Sequence, residues 1–367
     1  MIRPSATIRE DRPFELLGLA PSELRDYFQS MGEKGFHGDQ LYRAIYSRRL
    51  FSFDRLTEFS LQLRQALSRT ASITLPELET AQRSVDGTTK YLLRLSDGQR
   101  IEAVFIPEPS RNTLCLSTQV GCPMDCRFCL TALLGFSRNL TAAEIVGQIL
   151  FVQANQDKGE TGRASSERSK PLNIVLMGMG EPLLNLENVV KALQLMSDGD
   201  GLAIPVHRIT LSTVGLVPKI RELAQAPVIP NLAISLSATT DEIRSRLMPV
   251  NRKYPIQALL SACSDFPLPR KARLTFEYVL IDGINDTDQD ARRLVRLLSG
   301  LRSKVNLLPL NLGEQGVWRP SPPQRIVTFQ KILRSKGLPA FIRRPRGADI
   351  YAACGQLHRA QAARNTA

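Results

Sequence analysis

The stretch Gly121-Cys122-Pro123-Met124-Asp125-Cys126-Arg127-Phe128-Cys129 sets three thiols at the spacing C-x3-C-x2-C, directly after the strand candidate TLCLST at 113–118. A loop this short can bring all three sulfurs to one centre, and thiolates are soft ligands suited to iron-sulfur clusters or to zinc. A structural zinc site needs a fourth ligand, usually from a second short-spaced pair of Cys or His. No such pair is present, because His37, His207 and His358 stand alone. Three thiols packed without a metal are the remaining alternative. Three ligands on a four-iron cluster leave one iron open to a small chelating molecule, so the spacing points to function as well as structure.

Outward from the triplet the chain alternates short apolar runs with amphipathic stretches. The strand candidates are TLCLST, NIVLMG, HRITLST, NLAISLS, LTFEYVLI, KVNLLPL and PAFIRR, separated by helix candidates at 141–154, 184–197, 217–226, 254–264, 288–299 and 322–336. Such alternation implies βαβ units and a mainly parallel sheet or barrel. Six or so repeats suit an α/β partial barrel better than a closed eight-fold one. The helix after the cysteines opens on a capping box, Thr141-x-x-Glu144. Upstream, helical spacing near 21–31, 38–48 and 55–69 predicts a small helical module, the last segment resting on Leu56, Phe59, Leu63 and Leu67. Asp86-Gly87 and Asp97-Gly98 are turn signals around KYLLRL and RIEAVFIP, which predicts a hairpin. The expected division is a helical accessory domain at 1–75, hairpin strands at 76–110, the barrel at 111–348 and a C-terminal segment at 349–367. The polar, Gly/Ser-rich stretch Gln156 to Lys170 is expected to be a surface loop or insert.

With 43% hydrophobic residues in 367, the chain can bury a large core. It holds no run of 18 apolar residues and its N-terminus lacks the apolar segment of a secretory signal, so a soluble cytoplasmic protein with no membrane role is expected. In a reducing compartment its six cysteines speak for metal binding or catalysis before structural disulfides. Lys and Arg outnumber Asp and Glu by 48 to 35, and basic groups recur at Arg252-Lys253, at Arg270, Lys271 and Arg273, and at Arg343, Arg344 and Arg346. The net charge of +13 attracts polyanions, which favours a nucleic-acid partner over a plain solvated surface.

Gly178-Met179-Gly180-Glu181-Pro182 ends the strand candidate NIVLM, at the end of the sheet where α/β folds bind ligands. Its glycines permit close backbone approach, and Glu181 could meet an ammonium group. Ser212, Ser235-Leu236-Ser237 and Asn311 stand at successive strand ends, which suits the rim of a barrel mouth. Cys263, in the helical ALLSACSDF, reads as packing. Cys115, in TLCLST, and Cys354, in DIYAACGQL, differ in context: the second follows the last strand, where a segment can approach the mouth.

The triplet, with Phe128 before its last cysteine, resembles the signature of the radical S-adenosylmethionine superfamily. Adding RIEAVFIPE, VLMGMGEPLLN, ITLSTVG, LAISLSA and DIYAACGQL, in order across residues 101–358, the chain resembles the RlmN/Cfr family of ribosomal RNA adenine methyltransferases. The resemblance implies a radical SAM partial (β/α)6 barrel. It implies a 4Fe-4S cluster on Cys122, Cys126 and Cys129, with S-adenosylmethionine held by Gly180, Glu181, Ser212, Ser235, Leu236, Ser237 and Asn311. Cys354 would accept a methyl group, Cys115 would resolve the protein-RNA adduct through a transient disulfide with Cys354, and Glu102 would be the proton acceptor. A solvent-facing acid on a strand is the plain alternative for Glu102. The implied substrates are 23S rRNA and tRNA, with two cofactor molecules used per methyl, a flavodoxin or ferredoxin as electron donor, and a monomeric enzyme. The choice between C2 and C8 of the adenine stays open on the residues alone, with C2 favoured as the housekeeping activity, and a radical enzyme with a non-RNA substrate is the rival class. One departure stands out: Ser237 occupies the place where the family usually has histidine.

Overall fold

A computed structural model describes residues 13–157, 170–269, 271–311 and 318–357. Most of the expected loop between Gln156 and Lys170 lies outside them, as do Arg270 and His358. Among the described residues a short parallel pair, β1 (Phe14–Glu15) with β2 (Ala71–Ser72), accompanies the dominant element, a ten-stranded sheet. Its parallel part consists of β6 (Asn112–Cys115), β9 (Leu172–Leu176), β10 (Ile209–Thr213), β11 (Asn231–Ser235), β12 (Leu274–Leu280), β13 (Ser303–Pro309) and β14 (Ala340–Ile342). A helical crossover joins each to the next, which is the partial barrel the alternation predicts. Every residue of β12 is buried, in keeping with a strand covered on both faces.

The antiparallel edge holds one strand more than expected. β3 (Glu77–Arg83), β4 (Thr89–Arg94) and β5 (Arg100–Pro107) form a meander that joins the barrel through β5 and β6. The missed strand reads ELETAQR and is largely exposed, so it has no apolar alternation to find; its polarity suits an unpaired sheet edge. The helical module comprises Pro21–Ser30, Phe36–Tyr46 and Leu61–Thr70. Leu56 and Phe59 are buried as their spacing suggests, but they precede the third helix, because the Ser60 side chain caps it by accepting from Leu63 N–H at 3.2 Å. The module shares the main core: a Cβ on Gly18 would meet the backbone of Ala143 at 2.7 Å, so it packs closely against the helix Ala142–Asp157. That helix keeps the expected capping box, with Glu144 N–H donating to Thr141 Oγ1 at 3.1 Å and Thr141 N–H to Glu144 Oε2 at 2.9 Å. The helix Asp241–Leu247 escaped the periodicity reading, although Thr240 caps it and Asp241 and Glu242 fill its first turn.

The cysteine loop springs from β7 (Gln119–Gly121), which pairs with β8 (Phe136–Asn139). Gly121 has φ +81°, and a Cβ there would stand 1.9 Å from the Gly135 carbonyl oxygen, which accepts from Cys122 N–H at 2.9 Å. Gly121→Ala is therefore expected to cost more than about 1 kcal/mol, lowering Tm and the iron retained after anaerobic reconstitution. Calorimetry with iron analysis checks this, and wild-type values for both would contradict it.

Candidate functional site

Three points fix the cysteine loop: Cys122 N–H on Gly135, Arg127 N–H on the Leu247 carbonyl at 3.0 Å, and a 3-10 helix at Leu130–Leu134. Cys126 is buried, Cys122 and Cys129 are half-buried, and all three line one cavity beside Phe128. Burial pushes the Cys122 thiol up to about 12 and Cys126 well above its ordinary value, with the neighbouring thiols adding to both. Thiols so placed keep their protons until a cation displaces them. A soft-ligand triplet at the wall of a cavity fits an iron-sulfur cluster with an open coordination position.

The same cavity is lined by Gly178, Gly180, Glu181, Ser212, Ser235, Ser237 and Asn311, so the successive strand ends do converge. Gly180, at φ +106°, leaves no room for a side chain, since a Cβ would sit 2.6 Å from Gln119 Cβ. The Glu181 carboxylate accepts from Leu183 N–H at 3.0 Å and Val214 N–H at 2.9 Å, and burial raises its pKa to about 7. A cationic ligand beside it favours its charged form, which fits the ammonium of an amino-acid moiety. The serines and Asn311 supply neutral hydrogen-bonding groups for a ribose or carboxylate. Ser237 adopts φ +50°, and its Oγ accepts from Val279 N–H at 3.4 Å while the side chain still lines the cavity. Leu236 is fully buried outside the lining, its N–H donating to the Glu277 carbonyl and its carbonyl accepting from Arg244 Nε at 3.2 Å.

Arg244 lies behind the site as a positioning residue, and the sequence reading missed it. Fully buried, it donates to the carbonyls of Val214 at 2.7 Å, Ser235 at 3.1 Å and Leu236, and to Asn251 Oδ1 at 3.0 Å, tying the ends of β10 and β11 together. Burial lowers its pKa to about 10.

Cys115 ends β6 and is buried in a small apolar cluster with Val104, Met179, Ala352 and Leu357, the last two from the C-terminal segment. Cys354 is exposed into the cavity, and the protein around it pushes its thiol up to about 11, with the Glu277 carboxylate adding to the effect. Burial, and then Cys354 itself, raises Cys115. Both thiols line a second, wider cavity whose walls carry Arg111, Arg208, Lys271, Arg273, Lys304 and Arg343. Met177, Glu277, Leu308 and Cys354 line both cavities, so Cys354 stands at their junction. The six cysteines are free thiols in this structure, and the implied Cys115–Cys354 disulfide is not formed in it. Cys263 is buried in the core.

Glu102 is 3% exposed, which removes the solvent-facing alternative, yet it lines neither cavity. Its Oε1 lies 3.3 Å from Lys90 Nζ, itself buried, which also donates to the Tyr351 carbonyl at 3.4 Å. Lys90 thus links Glu102 to the segment that carries Cys354. Turn 84–86 grips the same segment, with Ser84 Oγ and Val85 N–H donating to Asp349 and Gly347 N–H donating to Asp86. From the other side Leu130 N–H donates to the Gly355 carbonyl at 2.7 Å and Thr131 Oγ1 to the Leu357 carbonyl at 2.8 Å.

The Radical SAM superfamily profile matches residues 116–295, and the Ribosomal RNA large subunit methyltransferase N-terminal domain matches residues 14–73. The chain is 47% identical over 348 residues to the dual-specificity RNA methyltransferase RlmN of Geobacter sulfurreducens, covering 95% of this chain and 92% of the relative. The RlmN of Syntrophobacter fumaroxidans is 46% identical over 336 residues, with 91% and 95% covered. Among solved structures, a radical SAM methyltransferase from Sphaerobacter thermophilus superposes with a TM-score of 0.86 at 40% identity, covering 94% of this chain and 99% of that one. No helix among the described residues is long and apolar enough to cross a membrane.

Each cysteine of the triplet is one of three cluster ligands in this reading, so Cys126→Ala is expected to lose the iron and the visible iron-sulfur absorbance while keeping the wild-type far-ultraviolet circular dichroism. Full iron content in that variant would contradict the ligand assignment.

Proposed function

The chain belongs to the RlmN family of radical S-adenosylmethionine RNA methyltransferases, and on that premise we propose that it methylates C2 of an adenine in 23S rRNA, at the peptidyl transferase centre, and of an adenine beside the anticodon of tRNA. One observation carries this reading: Cys354 lines both the cavity walled by the cysteine triplet and the neighbouring basic cavity that also holds Cys115. A small-molecule radical enzyme needs neither the paired thiols nor the cationic walls.

Cys122, Cys126 and Cys129 would hold a 4Fe-4S cluster, and Gly180, Glu181, Ser212, Ser235, Ser237 and Asn311 would hold S-adenosylmethionine. Bound there, the two supply the one-electron chemistry that removes hydrogen from an unactivated carbon, at a cost of two cofactor molecules per methyl. The chain's own part is to carry and release the methyl group. Adenine C2 is a poor nucleophile, so polar transfer straight to it is slow; Cys354 sulfur is a good one and presents the carbon at the junction. Once that carbon is bonded to the base, a carbon-sulfur bond joins RNA to protein. Cys115 sulfur attacks Cys354 sulfur, the carbon leaves with the electron pair of the broken bond and gains a proton, and the two cysteines form a disulfide that is later reduced. Glu102 would take the proton lost from C2, while the one electron that the ring gives up as it regains aromaticity returns to the bound cluster. The basic walls hold the RNA backbone. The enzyme acts as a cytoplasmic monomer and draws electrons from a flavodoxin or ferredoxin.

The two thiols act at different stages, so their variants are expected to differ. Cys354→Ala should form no covalent RNA species, whereas Cys115→Ala should stall as a protein-RNA adduct visible on denaturing gels. A Cys115→Ala protein free of RNA would remove Cys115 from the reaction, and a fully active Cys354→Ala protein would overturn the reading.

Affinity for a single-stranded 23S fragment should fall with salt at a log-log slope near −0.7 per phosphate contacted, and the slope should flatten by roughly 1.4 when Arg273 and Arg343 are both replaced by Ala. A binding titration from low to physiological salt measures this. A response independent of salt would mean that the cavity walls do not meet phosphate.

A further inference from the structure

The junction of the two cavities has four walls: Met177, Leu308, the Cys354 thiol and Glu277. Glu277 is therefore the charged or hydrogen-bonding group, other than the thiol, that a base delivered to Cys354 meets there. It lies in the middle of β12 (LTFEYVL), where it is the one charged residue and is only 8% exposed. Asn306, its register partner on β13, donates through Nδ2 to Glu277 Oε1 at 2.9 Å, which fixes the plane of the carboxyl group and leaves Oε2 directed elsewhere. Asn306 itself lines the basic cavity. A glutamate in such a strand has no packing reason to be there, and neither the cysteine chemistry nor the cofactor rim uses it.

We propose that Glu277, oriented by Asn306, reads the Watson–Crick edge of the target adenine, its carboxyl O–H donating to N1 and its carbonyl oxygen accepting from the 6-amino group. The inference rests on the RNA-methylating reading above and gives that site its base specificity. Adenine offers an acceptor at N1 next to a donor at the 6-amino group, and a neutral carboxyl group offers the complementary pair. Guanine offers N–H donors at N1 and at its 2-amino group, which an ionised carboxylate would favour instead. Burial raises the Glu277 pKa, against the opposing pull of the Asn306 hydrogen bond and of the Arg343 and Lys304 cations that face it. The arrangement also bears on position: C2 is bonded to N1, so a base held by this edge turns C2 toward Cys354 and keeps C8 on the far side of the ring. A hydrogen bond donated to N1 further draws electron density from C2, the carbon that must accept the new bond.

The test uses the full-length, cluster-loaded enzyme and two 23S fragments, one with adenine and one with 6-unsubstituted purine at the target position. Wild type, Glu277→Gln and Glu277→Leu are compared by kcat/KM. A glutamine amide places one donor and one acceptor as the neutral carboxyl group does, so Glu277→Gln should stay within about threefold of wild type. Glu277→Leu should lose about 5- to 150-fold on the adenine fragment, the range of one bidentate base contact. Wild type and Glu277→Gln should both prefer adenine to purine, by roughly tenfold, and Glu277→Leu should show no preference. The ratio of two fragments on one protein cancels any loss of folded or loaded enzyme. If Glu277→Leu is inactive, Glu277→Gln decides alone: a wild-type-like rate and ratio support the proposal. A Glu277→Gln enzyme impaired more than tenfold would show that an ionised carboxylate is required and would overturn it, as would a Glu277→Leu enzyme with the wild-type preference. A wild-type enzyme that leaves the adenine fragment unmethylated overturns the methyltransferase reading itself, a result distinct from any change in the ratios.

Discussion

The hydrogen bond from Leu130 N–H to the Gly355 carbonyl, at 2.7 Å, joins the two parts of the chain on which the site depends. Leu130 directly follows the last cysteine of the triplet, and Gly355 directly follows Cys354. One backbone contact thereby fixes the loop that holds Cys354 against the loop that holds the cysteine triplet, across more than two hundred residues of sequence. Gly355, at φ +81°, turns the segment so that its carbonyl faces the 3-10 helix. On the opposite side the Asp349 and Asp86 hydrogen bonds and Lys90 hold the segment to the antiparallel meander. Cys354 is consequently presented from a segment with little regular structure of its own, held at both flanks, which suits the carrier role proposed for it.

Burial shapes the electrostatics at each step around this loop. The thiols of Cys115, Cys122, Cys126 and Cys354 are all raised, chiefly by desolvation, and so is Glu181. Groups in this condition are quiet until a ligand of the right charge arrives, in the proposed reading a metal for Cys122 and Cys126 and an ammonium for Glu181. Arg244 shows the converse, a guanidinium taken wholly out of water and repaid through hydrogen bonds to strand-end carbonyls. Its placement makes the positions of Ser212 and Ser235 depend on a residue that touches neither cavity.

Much of this was legible in the sequence. The triplet, the glycines of GMGEP and the small polar residues at strand ends come from local spacing, and local spacing survives folding because each motif sits at the end of one strand. The parallel strands were readable for the same reason: each is a short stretch with several apolar residues, set between helices. What escaped reading depended on distant partners. Glu277 is the one charged residue of its strand, and its meaning appears only when Asn306 and Cys354 are beside it. Lys90 reads as an ordinary strand residue until Tyr351 and Glu102 close on it, and Arg244 lies on a short helix whose capping signal was readable but whose buried guanidinium was not. The strand Glu77–Arg83 carried no signal because an exposed edge needs none.

In the proposed reaction Cys354 carries the methyl group between the two cavities. Reconstituted enzyme given S-adenosylmethionine labelled in its methyl group, with no RNA present, should yield a peptide containing Cys354 that is heavier by one labelled methyl, and addition of the 23S fragment should then discharge that label into the adenine. Labelled RNA formed while the Cys354 peptide stays unmodified throughout would contradict the account.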